Sequence, residues 1–139
     1  MKRAFTIIEL IFVLVVLGIL AAVALPKFKE MLAQADISKA KSTVTAIRSG
    51  LQVYKNKHIL LGESPYPSTL DSDNNHLFDK VLPHAVTPST DPGGWSKENG
   101  DYVFHVDGEE KIVFTYDSTK GSFTCDSNQT TSAELCDQF

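Results

Sequence analysis

The sequence predicts an α+β protein in which a long N-terminal helix carries a small antiparallel β-sheet head. Three features predict this fold: an apolar run near the N-terminus, a following stretch with helical spacing of apolar residues, and short β-rich runs separated by turn residues. The 139 residues suffice for one domain with an extension. We expect four zones, at residues 1–4, 5–26, 27–61 and 62–139.

The apolar run covers residues 5–25 and is interrupted only by Thr6, Glu9 and Gly18. As an α-helix it would be about 32 Å long, which matches a membrane hydrocarbon core of about 30 Å. Lys2 and Arg3 precede the run, as expected for a cytoplasmic N-terminus. Such a helix, apolar on all sides, needs lipid or other copies of itself around it.

Three interpretations of the run are open from its composition. It is a retained transmembrane helix, a secretory signal cleaved after Ala24, or a membrane-held helix trimmed only at its extreme N-terminus. Glu9 bears on the choice, because a charge inside an apolar helix costs roughly 2.5–3.5 kcal/mol on insertion scales. A disposable signal has no need of that charge, so Glu9 favours a helix with a functional site and a partner for it.

The N-terminus resembles the processing site of type IV pilins and type II secretion pseudopilins. The matching residues are Lys2-Arg3-Ala4-Phe5-Thr6-Ile7-Ile8-Glu9-Leu10. In that family a short basic leader is removed before a Phe, the new N-terminus is methylated, and a Glu follows at the fifth mature position. The resemblance therefore implies cleavage between Ala4 and Phe5, N-methylation of Phe5, and an assembly role for Glu9. Ala4 stands where the family usually has Gly.

The resemblance extends to Gly18 and Pro26. Pro26 occupies the twenty-second mature position, where the family commonly has a helix-kinking Pro, and its missing N–H removes one helical hydrogen bond. In the family, the stretch between such a Gly and such a Pro can lose helical order inside the filament. Residues 18–26 are the matching stretch, so both residues are implied in assembly.

Residues 27–61 are predicted to continue the helix as an amphipathic stem. Positions three and four residues apart define one helix face that would pack on the head: Ile37, Ala40, Val44, Ile47, Leu51, Tyr54 and His58. Gly50 is a local weakness of about 1 kcal/mol relative to Ala. The helix is expected to end near Gly62, which gives one helix of about 55 residues from Phe5.

Residues 62–139 are predicted to form the head. We expect loops at residues 62–76 and 87–94, a short helix at 76–82, and strands at 102–106, 111–116 and 122–125. Asp107-Gly108 between two of these runs indicates a hairpin. The expected sheet has about three or four strands.

Cys125 and Cys136 are the two cysteines of the chain. They lie in a segment that is outside the cytoplasm if the stem is held in a membrane, and a small core often needs a covalent staple. A bridge between them is worth roughly 3 kcal/mol in the chain-entropy model. Type IV pilins often close a C-terminal loop in this way, so the resemblance favours a disulfide. Two free thiols are the alternative.

Charge is distributed unevenly along the chain. Residues 27–61 hold seven basic and two acidic residues, whereas residues 62–139 hold four lysines and fourteen acidic residues. The acidic head argues against nucleic acid as its main partner. The basic stem suits anionic lipid, the acidic head of another copy, or plain solvent.

Two weaker patterns concern modification and metal binding. Asn128 begins an N-x-[ST] sequence and is a candidate glycosylation site. Residues 91–101, from Asp91 to Asp101, distantly resemble the calcium-bearing loop region of major pseudopilins, and an ordinary acidic loop is the alternative. No other metal or cofactor is expected.

The sequence contains no recognisable catalytic, P-loop or dinucleotide motif, so no enzymatic activity is expected. The resemblance implies a structural subunit, major or minor, of a type IV pilus-like or type II secretion pseudopilus filament. Its implied partners are other copies of the chain, a prepilin peptidase, an inner-membrane platform, an assembly ATPase and, before assembly, inner-membrane lipid.

The head would be periplasmic before assembly, and the filament periplasmic or extracellular. Two alternatives do not involve a filament. One is a binding module secreted after cleavage at Ala24, and the other is a membrane-anchored protein that never polymerises.

Overall fold

The computed structural model describes residues 5–139. Its elements are α1 (Ile7–Leu60), β1 (Trp95–Glu98), β2 (Asp101–His105), β3 (Lys111–Asp117), β4 (Ser122–Cys125) and α2 (Ala133–Cys136). Contacts divide the described chain into two units between Ala35 and Asp36. The long N-terminal helix and the small antiparallel sheet confirm the predicted α+β class.

α1 begins and ends with recognisable signals. At its start, the Thr6 hydroxyl accepts a hydrogen bond from the Glu9 backbone N–H at 3.3 Å, as an N-cap residue does. At its end, the Gly62 N–H donates to the Ile59 carbonyl at 3.1 Å. Gly62 has a φ of 74°, which glycine adopts without strain, so the helix stops at Leu60, close to the predicted end.

The second half of α1 packs on the sheet through the predicted face. Its buried residues are Ile37, Ala40, Val44, Ile47 and Leu51. Tyr54 and His58 continue the face as half-buried residues, and their rings stack with centroids 3.8 Å apart. A Cβ at Gly50 would overlap the carbonyl oxygen of Val81. The glycine is therefore required for close packing, and its low helix propensity is offset by that contact.

The four strands form one antiparallel sheet in the order β1-β2-β3-β4. The turn between β1 and β2 consists of Asn99 and Gly100, with φ values of 52° and 98°. Positive φ at both positions is the signature of a tight two-residue hairpin turn. β1 was not predicted, because four residues show little alternation. The Asn-Gly pair was the signal that would have identified it.

The core of the head is aromatic. Six rings are at most 2% exposed: Phe78, Trp95, Tyr102, Phe104, Phe114 and Phe123. Phe114 and Phe123 stack with centroids 5.2 Å apart, and Phe78 meets Trp95 edge-on at 5.3 Å. Rings of this size supply much of the apolar burial available to a small sheet.

The short helix predicted for residues 76–82 is wrong. Leu77 exchanges two backbone hydrogen bonds with Val86, both 2.9 Å long. Phe78 has a φ of 62°, and its N–H donates to the buried Asp71 carboxylate at 3.0 Å. A helix of seven residues is marginal by itself. Bonds to distant partners, together with burial of Leu77 and Phe78, therefore decide the conformation.

Candidate functional site

Residues 5–26 form an almost continuous apolar stretch in which every residue is exposed. None of these residues is buried, and Phe5, Ile7 and Ile8 are 77–80% exposed. By length and composition, this part of α1 is able to cross a membrane. Contiguous apolar surface of this extent marks a membrane or protein contact. We therefore treat it as the candidate functional surface of the molecule.

Glu9 lies on this surface, in the first turn of α1. Thr6 and Glu9 have the spacing of a capping box, in which a Glu at the third helical position reaches back toward the N-cap residue. Only the Thr6 half of that box is formed, through the 3.3 Å bond from the Glu9 N–H. The capping role was missed from the sequence, although the Thr6–Glu9 spacing indicates it. The cap therefore uses the backbone of Glu9, and its carboxylate is left for an intermolecular role.

The predicted cleavage site lies at the edge of the described chain. Phe5 is 80% exposed and, with Thr6, precedes α1. Ala4, on the other side of the predicted cut, lies outside the described residues.

Gly18 and Pro26 both lie inside α1. A Cβ at Gly18 would meet nothing within 4 Å. Pro26 cannot donate the helical hydrogen bond that another residue would make there. Packing within the described chain therefore explains neither residue, and the kink at Pro26 stays a prediction.

Cys125 and Cys136 form a disulfide, with Cα atoms 5.5 Å apart. The loop that it closes continues the pairing of β3 beyond the end of β4. The Asp126 N–H donates to the Val113 carbonyl at 2.8 Å, and the Thr131 N–H donates to the Lys111 carbonyl at 3.0 Å. The disulfide therefore holds a segment that satisfies the edge of β3, a position that otherwise invites pairing with other chains.

Asn128 is exposed in this loop, and its backbone N–H donates to the Asp126 carboxylate at 2.9 Å. Thr130, the third residue of the glycosylation pattern, is only 7% exposed. Its hydroxyl donates to the Asp126 carbonyl at 2.7 Å and accepts from the Val113 N–H at 3.0 Å. Thr130 of the pattern is therefore engaged in the fold, whereas Asn128 is exposed, and glycosylation of Asn128 stays a prediction.

The candidate calcium loop of residues 91–101 is divided by β1. The Asp91 carboxylate accepts from the Ser89 hydroxyl at 2.9 Å, and the Asp101 carboxylate accepts from the Gln129 amide at 3.1 Å. Across residues 5–139, no three or more His, Cys, Asp or Glu side chains are grouped so that they could hold a metal ion.

A cavity of about 350 Å³ lies between α1 and the loop that leads into β1. Lys39 and Thr43 line it from the helix, and Val86, Pro92 and Trp95 are among the residues that line it from the head. The Lys39 ammonium donates to the Gly93 carbonyl at 2.6 Å and so holds the loop on the helix. Among buried side-chain nitrogen and oxygen atoms of the described chain, only the Trp95 indole nitrogen lacks a hydrogen-bond partner. The sequence did not predict this cavity.

A second group of polar residues is buried at Asp71, which is 5% exposed. Its carboxylate accepts from the Lys97 ammonium at 2.6 Å and from the Tyr102 hydroxyl at 2.9 Å. Burial, followed by the nearby Asp71 charge, raises the pKa of Tyr102 above its usual value. These bonds fasten the loop of residues 62–94 to the sheet, and the sequence did not reveal them because the partners are far apart along the chain.

Comparisons with known proteins address the N-terminal motif and most of the chain. The prokaryotic N-terminal methylation motif matches residues 1–25. A fimbrial protein of Pseudomonas aeruginosa is 28% identical over 121 residues, which cover 87% of this chain and 72% of that protein.

Two relatives carry another name. The type II secretion system core protein G of Pseudomonas aeruginosa is 34% identical over 97 residues, covering 70% of this chain and 61% of that protein. The protein of the same name from Vibrio cholerae is 32% identical over 102 residues, covering 73% and 60%. No solved structure matches the chain.

Proposed function

Because the chain belongs to the type IV pilin and type II secretion pseudopilin family, we propose that it is a structural subunit of a helical filament built by a pilus or secretion machine. Proteins of this family are structural subunits and not enzymes. The observation that carries the proposal is the apolar stretch of residues 5–26, in which every residue is exposed. Lipid covers it before assembly, and the helices of other copies cover it afterwards.

Processing precedes assembly. A prepilin peptidase cuts between Ala4 and Phe5 on the cytoplasmic face of the inner membrane, and Phe5 is then N-methylated. The match of residues 1–25 to the methylation motif supports this step. The head then lies in the periplasm until an inner-membrane platform draws the subunit into a filament that is periplasmic or extracellular. A separate assembly ATPase supplies the energy, since the sequence has no nucleotide-binding motif.

Glu9 sets the register of assembly. Removal of the leader gives Phe5 a positive α-amino group four residues from Glu9. A carboxylate in an apolar environment is tolerable when it is paired and costly when it is alone. A subunit that leaves the lipid is therefore drawn to the axial position at which its Glu9 meets the Phe5 amine of a neighbour.

Gly18 and Pro26 act in the same packing. Small residues let apolar helices approach closely, and the space around Gly18 is open in the single chain. Pro26 weakens the helical hydrogen bonding of its own turn. Residues 18–26 are therefore the segment that yields when helices pack in the filament.

The experiment separates the charge of Glu9 from its polarity and size. Glu9→Gln keeps a polar side chain of the same size but removes the charge, whereas Glu9→Leu removes both the charge and the polarity, and the backbone cap on Thr6 is kept in both. Both variants are expressed with the assembly machinery of the parent organism. We expect both to insert and to be processed to a methylated Phe5, with at least tenfold fewer filaments by electron microscopy.

Two outcomes would contradict this proposal. Normal filament numbers from Glu9→Gln would show that the charge is not needed for assembly and would leave Glu9 as a peptidase-recognition residue at most. Unaltered protein that begins at Leu25, shown by intact mass and N-terminal sequencing, would indicate signal cleavage after Ala24 and a secreted module instead.

A further inference from the structure

This inference rests on the proposed function and concerns how the heads of neighbouring subunits meet. The last two residues of α1 and the residue after it are exposed and apolar. We call these three residues the knob: Ile59 at 53% exposure, Leu60 at 87% and Leu61 at 62%. Leu60 is the last helical residue, and the turn at Gly62 leads the chain away from it. Adjacent apolar side chains that are exposed at the end of a helix indicate a contact with another molecule.

The cavity that contains Lys39 and Thr43 lies toward the other end of the same helical segment. These two residues precede Leu60 by 21 and 17 positions. At 1.5 Å per residue, the knob and the cavity are therefore about 25–30 Å apart along the helix axis. The knob cannot reach the cavity of its own chain, but it can reach that of a copy stacked above it.

The knob and the cavity match in size and in polarity. A cavity of about 150 Å³ holds a benzene molecule, so about 350 Å³ has room for one leucine side chain and part of its neighbour. Val86, Pro92 and Trp95 give the cavity an apolar portion that suits such a side chain.

Charges at the two ends are also complementary. Lys57 is exposed beside the knob, and Asp91 is exposed beside the cavity. The carboxyl end of a helix carries partial negative charge, and the Lys39 ammonium of the cavity is positive. Each of these two charges at the knob end therefore has a counterpart of opposite sign at the cavity.

We propose that the knob of one subunit inserts into the Lys39–Trp95 cavity of the next subunit along the filament. A contact between two different surfaces at opposite ends of one unit repeats without closing, so it builds an open fibre and not a dimer. Because three side chains bury far less than the roughly 1,200 Å² of a stable interface, the contact adds to the packing of residues 5–35 and does not replace it.

The first test compares two exposed apolar positions on α1. Leu60→Asp places a charge in the knob. Val53→Asp places the same charge two helical turns earlier, at a side chain that is 69% exposed and outside the knob. We expect at least fivefold fewer or shorter filaments from Leu60→Asp and normal filaments from Val53→Asp, with both heads folded by near-ultraviolet circular dichroism.

The second test is cross-linking in assembled filaments, with the Cys125–Cys136 disulfide left intact. Chains that carry Leu60→Cys and Thr87→Cys together should give a ladder of covalent multimers with a short bis-maleimide. Chains with Val53→Cys and Thr87→Cys should not, because Val53 is outside the knob. A mixture of the two single variants Leu60→Cys and Thr87→Cys should stop at dimers.

The outcomes separate this inference from the proposed function. Normal filaments from Leu60→Asp, no ladder from the knob pair, or equal ladders from both pairs would overturn the docking of the knob and leave the filament subunit standing. Absence of filaments from the unaltered chain would overturn the proposed function and this inference with it.

Discussion

The two halves of α1 differ in burial, and the difference is the opposite of what their composition alone would predict. The first half, up to Ala35, is the more apolar, yet none of its described residues is buried. The second half, from Asp36, carries most of the charges and buries five residues against the head. Burial within the chain therefore follows the presence of a single apolar face and a sheet to receive it, and not total hydrophobicity.

Each half of α1 therefore buries its apolar residues against a different partner. A helix face that is matched by a sheet is satisfied during folding of the chain. A helix that is apolar on all sides is satisfied only by lipid or by many neighbours. Folding of the head and assembly of the filament are therefore expected to respond to different mutations.

In the full chain in detergent micelles, circular dichroism can measure the folding of the head and the helicity of residues 5–35 separately. The one tryptophan and the four tyrosines all lie after Asp36: Tyr54, Tyr66, Trp95, Tyr102 and Tyr116. Near-ultraviolet circular dichroism thus reports mainly on the head. Far-ultraviolet helicity retains the contribution of residues 5–35 after the head has unfolded.

The largest effect is expected at the buried ion pair of the head. Lys97→Met leaves the Asp71 carboxylate, which has a side-chain exposure of 3%, without its cation. Loss of one partner of a buried pair costs roughly 3–5 kcal/mol. The cost here should fall near the lower limit, since the Lys97 side chain is 25% exposed. Denaturant unfolding followed in the near-ultraviolet should show it.

Lys120→Met is the matched control for Lys97→Met. The Lys120 side chain is 79% exposed, and its nitrogen lies 3.7 Å from the Asp117 carboxylate. An exposed pair of this kind contributes little to stability, so the control should unfold like the parent. Equal stability of Lys97→Met and Lys120→Met would show that the ion pair between Lys97 and Asp71 does not stabilise the head.

Removal of the disulfide is expected to have the next largest effect. Replacement of both Cys125 and Cys136 by Ser should lower the free energy of unfolding of the head by about 2–4 kcal/mol. The effect comes from the unfolded chain, which gains freedom, and from weaker cover of the β3 edge. Reductant should lower the melting temperature of the parent toward that of the variant and leave the variant unchanged. A parent that is insensitive to reductant would argue against this role.

The sequence was informative wherever a local rule decides structure. The spacing from Ile37 to Leu51 identified the buried face of α1, and Asp107-Gly108 located the hairpin between β2 and β3. Local signals were present but unused at β1, through Asn99-Gly100, and at the Thr6 cap. These features depend on neighbours within a few residues.

Features that depend on distant partners could not be predicted in this way. Phe78 leaves the expected helix because Asp71 and the core receive it. One wall of the cavity is joined to the other by a bond from Lys39 to a residue 54 positions away in sequence. No periodicity or turn pattern in the sequence indicates such pairings, so the cavity could be identified only from the structure.

The two helix glycines offer a smaller and more direct comparison of the halves. Gly50→Ala places a Cβ against the Val81 carbonyl. Overpacking of this kind costs typically 1–3 kcal/mol, which a gain in helix propensity of about 1 kcal/mol partly offsets. Gly18→Ala meets nothing within 4 Å and should leave near-ultraviolet melting of the head unchanged. Equal melting temperatures for both variants would contradict the tight contact at Gly50.

The smallest expected effect is a loss of head stability at alkaline pH that depends on Tyr102. Burial raises the pKa of this phenol above its unfolded value of about 10, and the Asp71 charge raises it further. The folded state therefore holds the proton more tightly than the unfolded state does. The resulting stabilisation is fully present below the unfolded pKa and is lost as the pH rises toward the folded pKa.

The pH dependence can be measured as a difference between two proteins. Between pH 7 and pH 10.5, this one proton should account for a loss of about 0.8 kcal/mol in the free energy of unfolding. Tyr102→Phe should be less stable at neutral pH, because it lacks the 2.9 Å bond to Asp71. Its further decline with pH should nevertheless be shallower than that of the parent by that amount.

Tyr116, whose pKa is also raised by burial, is present in both proteins, so its contribution cancels in the comparison. Far-ultraviolet helicity from residues 5–35 should persist throughout, since that segment contains no tyrosine. If the free energy of unfolding declined with pH at the same rate in the parent and in Tyr102→Phe, the prediction would be wrong. The hydroxyl of Tyr102, which is only 2% exposed, would then ionise as easily in the folded head as in the unfolded chain.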